Sequence, residues 1–352
     1  MTETTSQAPA PADAPEAEGL PQAPVLVHVR RGAHVESQHR GSWVVVDAEG
    51  AVLASGGHPE HPVYSRSAIK SLQALPLLES GAAERWALTD EELAVCVSSH
   101  EAEPCHTDTV LGLLAKIGLG VGDLRCGPQV PGDLEVRRRL AVEGAAPSPL
   151  HNNCSGKHAG FLALAVHLGA PPAEYLAPDG AVQRLVRRSV LELAGLEPAQ
   201  VTLGTDGCSA PTFRFPLTHL ALAFARLAKP AGLAPERRAH CERLRAAVAA
   251  RPELVAGSRG RLDTDLVRAS GGRLFAKIGA EAVYAVGEAG GGRALAVKID
   301  DGGRRALAPL VLALLERFDF LAPAELAALA PWTDPTLRNR AGLDVGRTEV
   351  VA

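Results

Sequence analysis

Ser67 and Lys70 stand three residues apart at a point where a helix is due to begin. A hydroxyl and an amine at that spacing share one helical face. A neutral lysine accepts a proton from a serine, and a helix N-terminus favours negative charge on the attacking oxygen. A second amine lies on a strand late in the chain, in Lys277-Ile278-Gly279, and Ser98-Ser99-His100 falls between the two. The chain has six lysines against thirty arginines. Arginine cannot replace a lysine that must lose its proton, because guanidinium stays charged. Of the six, Lys70, Lys157 and Lys277 sit in chemically suggestive strings, while Lys116, Lys229 and Lys298 do not. For any one lysine alone, chance retention on the surface is the competing explanation.

Ser67-Ala68-Ile69-Lys70 has the S-x-x-K form of penicillin-recognising serine hydrolases. Such enzymes also carry a lysine on a late strand and a serine-containing element at a helix end between them. The order here is the same. The expectation is therefore two pairs, Ser67 with Lys70 and Ser99 with Lys277, converging on one pocket. A capped helix bearing an exposed lysine is the alternative.

A second cluster is His151-Asn152-Asn153-Cys154-Ser155-Gly156-Lys157-His158, immediately before an apolar helix. The loop Gly204-Thr205-Asp206-Gly207-Cys208-Ser209 supplies a further thiol and a carboxylate. Two cysteines with a lysine or histidine make a three-ligand set with an open position, as in catalytic zinc sites. Two buried, inert thiols are the other reading. The chain contains six cysteines. The first 22 residues have neither a basic n-region nor an apolar h-region, and read as a disordered tail. A cytoplasmic location is expected, with the cysteines as thiols.

The elements that must carry these groups are strands at both ends and helices between. Val25–Val29, Ser42–Val46 and Ala51–Ala54 read as an antiparallel meander. Leu274–Ile278, Ala282–Gly287 and Ala294–Ile299 read as a second set of strands, followed by a helix over Arg305–Phe318. The middle, roughly 85–270, is helical, with Thr89-Asp90-Glu91-Glu92 as a capping box. Ser67 opens a helix reaching Gly81, which Pro76 should kink or shorten. One α/β domain over 23–352 is expected, its antiparallel sheet built from both chain ends and flanked by helices. At 352 residues and 46% hydrophobic content, the chain has enough apolar material for a core. Only 4% of residues are aromatic and the net charge is −4, which disfavours a nucleic-acid partner. No apolar run is long enough to span a membrane.

The strings Tyr64–Lys70, Cys96–His100, His151–Gly160, Asp206-Gly207-Cys208 and Lys277–Glu281 resemble the rhizobial-type L-asparaginases, also called the asparaginase II family, the third structural class. The resemblance runs from about Val25 to the C-terminus. It implies a fold like serine β-lactamases and glutaminases, a homodimer, and hydrolysis of L-asparagine to aspartate and ammonia. It implies that Ser67 is the nucleophile paired with Lys70, with Ser99 and Lys277 as the second tandem. Arg66, His158 and Asp206 would bind the substrate. Cys154, Lys157 and Cys208 would hold a supporting zinc. The family's best-known branch places a further cysteine near the metal, in a segment resembling Arg261–Asp265, and this chain has Asp263 there. Asp263 would add an oxygen ligand or accept a hydrogen bond from a ligated water. The competing functions are another serine–lysine amidohydrolase, namely a glutaminase or a β-lactam or peptide hydrolase, and a non-catalytic thiol–metal protein.

Overall fold

The computed structural model describes residue 19 and residues 21–352, so the expected tail over residues 1–22 lies almost wholly outside the described residues. The strands are β1 (Val25–Arg31), β2 (His34–Asp47), β3 (Val52–Gly56), β4 (Pro62–Tyr64), β5 (Thr202–Thr205), β6 (Pro211–Pro216), β7 (Leu274–Ile278), β8 (Val283–Glu288), β9 (Arg293–Ile299), β10 (Thr336–Arg338) and β11 (Asp344–Val350). The main sheet runs β10-β11-β1-β2-β9-β8-β7, with β3 also paired to β2. Every pairing in it is antiparallel. The two chain ends meet directly, with Val27 of β1 opposite Val350 of β11. The sheet built from both ends is thus as expected. β10 and β11 were not anticipated, nor was a second sheet of β4, β6 and β5. These missed strands are short or polar, and three prolines bound β4 and β6, so they read as turns.

Period-two alternation divides the core between the two faces of the main sheet. Val44, Val46, Val283, Ala285, Ala294 and Ala296 face one cluster. Trp43, Val45, Tyr284, Val286, Leu295 and Val297 face the other. The first face is covered by the helix Leu217–Ala228, which packs on β2, β8 and β9. The second is covered by Arg304–Arg317, packed on β1, β9 and β11. Among the described residues no helix is long and apolar enough to cross a membrane.

Three helices of the middle region reach the chemistry: Lys70–Glu79, Asp90–Cys96 and Ser155–His167. Asp90–Cys96 opens on the expected box, with Glu92 N donating to Thr89 Oγ1 and Thr89 N donating to Glu92 Oε2. Pro76 lies inside the first helix, which ends three residues later. Gly156 lets Ser155–His167 approach Asp90–Cys96, because a Cβ there would fall 2.1 Å from Val95 O.

That contact sets a stability test. Gly156→Ala should destabilise the protein by about 2 kcal/mol or more, as backbone must move to admit the methyl. Gly112 is exposed within Pro104–Lys116 and has open space around its would-be Cβ. Gly112→Ala should stabilise by about 0.5–1 kcal/mol. Urea unfolding of both variants reads the two signs.

Candidate active site

β4 delivers the chain into a 3₁₀ turn, Arg66–Ile69, and the α-helix starts only at Lys70. Ser65 fastens this turn to the second sheet, its N–H and its hydroxyl both donating to Phe213 O, at 2.9 and 3.0 Å. Arg66 adopts a left-handed φ of +48° just before Ser67. For a residue with a side chain that conformation costs about 1–2 kcal/mol. It is held by an ion pair from Arg66 Nε to Asp206 Oδ1 at 2.8 Å. On the far side, Gly279 brings the end of β7 against the turn, where a Cβ would stand 3.0 Å from Ser65 O.

Lys70 and Lys277 are both buried, and both amines bond to Ser99 Oγ, at 3.1 and 2.9 Å. Ser99 follows the Asp90–Cys96 helix, where its N–H donates to Val255 O at 2.8 Å. Lys70 also donates to Ser98 O and to Cys154 Sγ, and Lys277 also donates to Ile278 O. Among the described residues the Lys70 hydrogen bonds go to Ser98, Ser99 and Cys154 and none reaches Ser67, while Ser99 meets both lysines. Burial lowers the Lys277 pKa to about 7; Asp263 opposes this, while Lys70 and Arg261 add to it. Lys277 is therefore an amine that changes charge near neutrality, bonded to a hydroxyl.

The thiol cluster adjoins this pair through Lys70. Cys154, Lys157 and Cys208 are all buried, with Lys157 Nζ 3.1 Å from Cys208 Sγ. Hydrogen bonding with Cys208 lowers the Cys154 pKa well below the usual thiol value against the effect of burial, helped by Lys70 and Lys157. Cys208 moves the opposite way for the same reason, bonded to Cys154 and buried. The two sulfurs thus share a hydrogen bond that favours negative charge on Cys154 over Cys208. Lys157 is raised, since the two sulfurs outweigh its burial. Two sulfurs and an amine converging in a dry site suit a borderline-soft ion such as zinc.

Asp206 continues the network, lying 3.7 Å from Cys208 Sγ and paired with Arg66. Its carboxyl stays below the usual range despite burial, held there by Lys157 and Arg66. His158 is fully buried, and its Nδ1 meets Tyr175 Oη at 2.6 Å. That oxygen also accepts from Arg125 N, and the other imidazole nitrogen, Nε2, is a buried atom with no partner among the described residues. Burial, with Lys157 and Lys70 nearby, keeps this imidazole neutral.

A cavity of about 260 Å³ opens onto both serines, Ser67 and Ser99, together with Gln129, Asn153, Arg261 and Gly279 among others. Arg66, His158 and Asp206 are not part of its lining; they stand on the thiol side of the network. Arg261 was not anticipated. Its guanidinium donates to Ser99 O at 3.1 Å and pairs with Glu101, fixing the Ser99 loop. Sequence spacing carries no signal for it, since it lies far from Ser99 in the chain. Asp263 departs from its expected place beside a metal. Its Oδ1 accepts the Ile278 N–H at 2.7 Å, and its Oδ2 is 3.8 Å from Arg261. It serves the Lys277 strand instead.

Against known proteins, a family model described as L-asparaginase II matches residues 27–350. No curated protein matches the chain. Among solved structures, a beta-lactamase from Mycobacterium bovis is similar over 83% of this chain and 95% of that one, at 16% identity and a TM-score of 0.38. The matched span takes in every member of the serine–lysine network and of the thiol cluster, and the chain belongs to the L-asparaginase II family.

Proposed function

We propose that this chain hydrolyses the side-chain amide of L-asparagine to aspartate and ammonia, using serine activated by lysine. The observation that carries the proposal is the pair of buried amines on Ser99 Oγ, at a polar cavity that Ser67 also lines. An unactivated amide needs a strong nucleophile and an acid for the departing nitrogen. Neutral Lys277 supplies the base, and the resulting ammonium supplies the acid. Ser67 Oγ bonds to the amide carbon, and its proton passes through Ser99 to Lys277. The C–N bond then breaks as that proton moves to nitrogen. Water cleaves the serine ester by the same route in reverse.

The substrate is a zwitterion, and the Arg66–Asp206 ion pair presents the complementary charges. Binding exchanges that mutual contact for the α-carboxylate on Arg66 and the α-ammonium on Asp206, with the unpartnered His158 Nε2 as a further hydrogen-bonding group. Cys154, Lys157 and Cys208 would hold a zinc, which supplies charge that fixes this binding region. A homodimer in the cytoplasm, where the thiols stay reduced, completes the proposal. Ser99 itself as the attacking oxygen is the second reading, favoured by its contact with both lysines.

Ammonia release from asparagine, glutamine and a chromogenic β-lactam separates the substrate classes, and asparagine is expected to dominate. Ser67→Ala should lower kcat by roughly 10⁴-fold or more. Lys70→Arg should be nearly as damaging. Near-normal turnover in Ser67→Ala would remove it as nucleophile. Mass mapping of the serine trapped by a diazoketone analogue of asparagine then decides between Ser67 and Ser99.

The pH profile tests Lys277. Its amine accepts a proton only when neutral, so kcat/KM should rise with pH through about 7. In Lys277→Met that limb should disappear along with most of the activity. A limb that survives the substitution unchanged assigns it to another group.

Zinc removal separates binding from chemistry. Chelation should raise KM more than it lowers kcat, with recovery on zinc titration. Loss of kcat at unchanged KM would overturn the supporting role.

A further inference from the structure

A second set of donors lies outside this network. Glu103, Cys105 and His106 occupy the first turn of the Pro104–Lys116 helix and the residue before it. One ligand atom from each lies within 4.8 Å of the other two. His106 Nε2 is 2.8 Å from Glu253 O, so Nε2 carries the proton and Nδ1 keeps its lone pair. His106 is fully buried, and among the described residues the hydrogen-bond contact of its Nδ1 is with Cys105 Sγ, at 3.8 Å. On a tetrahedral zinc, sulfur at about 2.3 Å and nitrogen at about 2.0 Å would stand about 3.5 Å apart. The pair is already near that separation. Glu103 Oε1 accepts the Ser258 N–H at 2.7 Å, leaving its other oxygen. Histidine and carboxylate are each oriented by a backbone group, the outer arrangement that metal ligands require.

We propose that Glu103, Cys105 and His106 form a second metal site, taking zinc or a similar divalent transition ion with water as the fourth ligand. The donors are sulfur, nitrogen and oxygen, a set that suits zinc over calcium or magnesium. A thiolate and a carboxylate bound to the ion would offset its charge. Cys105 and Glu103 are partly exposed, which gives the ion an entry path. The function is structural. Glu103 ties the helix to Ser258 and His106 ties it to Glu253, the two ends of the segment leading to Arg261, which holds the Ser99 loop. His106 also stacks on His100 at 5.0 Å. The ion would lock the approach to the serine–lysine pair without touching substrate.

The test uses the full chain, stripped with chelator and titrated with cobalt(II) and zinc. Wild type is expected to bind one ion at Cys105, with a thiolate-to-cobalt charge-transfer band. Cys105→Ser and Glu103→Gln should each weaken that equivalent, the first by at least about 100-fold, more than loss of an outer-shell partner costs. The Cys154→Ser/Cys208→Ser variant should retain it, which separates this site from the other thiols. Zinc should also slow alkylation of Cys105 by iodoacetamide, followed by peptide mass spectrometry. The proposal is overturned if Cys105→Ser and Glu103→Gln bind as wild type does, or if zinc leaves Cys105 alkylation unchanged.

Discussion

Two lysine amines kept dry within reach of one hydroxyl are the constraint on which the site depends. An ammonium removed from water loses hydration worth several kcal/mol. Here that loss is partly offset by fixed acceptors: Ser98 O and Cys154 Sγ for Lys70, Ile278 O for Lys277. What remains appears as the depressed Lys277 pKa, and that depression is what makes the amine a base. The fold has to bring three distant segments together to achieve this. The Lys70 helix, the loop after Asp90–Cys96 and the edge strand β7 meet at Ser99. Glycine at 156 and 279 allows the backbones to come close enough.

The open edge of β7 shows how local pairing serves the chemistry. Gly279 N–H bonds toward β8, on Val283 O. The preceding residue alternates, so the N–H and C=O of Ile278 face the unpaired side. An exposed edge of this kind usually invites another strand. Asp263 takes the N–H and the Lys277 amine takes the C=O. The same two contacts close the edge, hold the amine over Ser99 and set a carboxylate where it tempers the fall in the Lys277 pKa.

Much of this was legible in the sequence because it follows from period and type. Leu274–Ile278 and Leu217–Ala228 lie where apolar runs of suitable length place them. The three lysines that the sequence singled out, Lys70, Lys157 and Lys277, are buried, and the other three are at least partly exposed. The S-x-x-K spacing pointed to Ser67 and Lys70, but it gave no sign that Ser99 also bonds to Lys70. Spacing describes one helix, whereas the acceptor that Lys70 uses arrives from the loop after another. β4 and β6 were illegible because prolines at their ends signal turns, and only their mutual pairing makes them strands. Arg261 was invisible because its contact with Ser99 O joins distant segments and no motif marks it, whereas the equally distant Lys277 stood in a string that pointed to Ser99.

The thiol cluster and the serine pair are joined by charge as well as by contact. Lys70 donates to both Ser99 and Cys154, and with Lys157 it helps to lower the Cys154 pKa. Lys70 also lowers the Lys277 pKa, an influence smaller than those of burial and of Asp263. The division of labour follows. The amine beside the sulfur anchors Ser99, and the amine on β7, lowered to about 7, is the one poised to exchange a proton. A change in charge at Cys154 is therefore felt by both amines on Ser99, by Lys70 through its contact with the sulfur and by Lys277 through the charge itself.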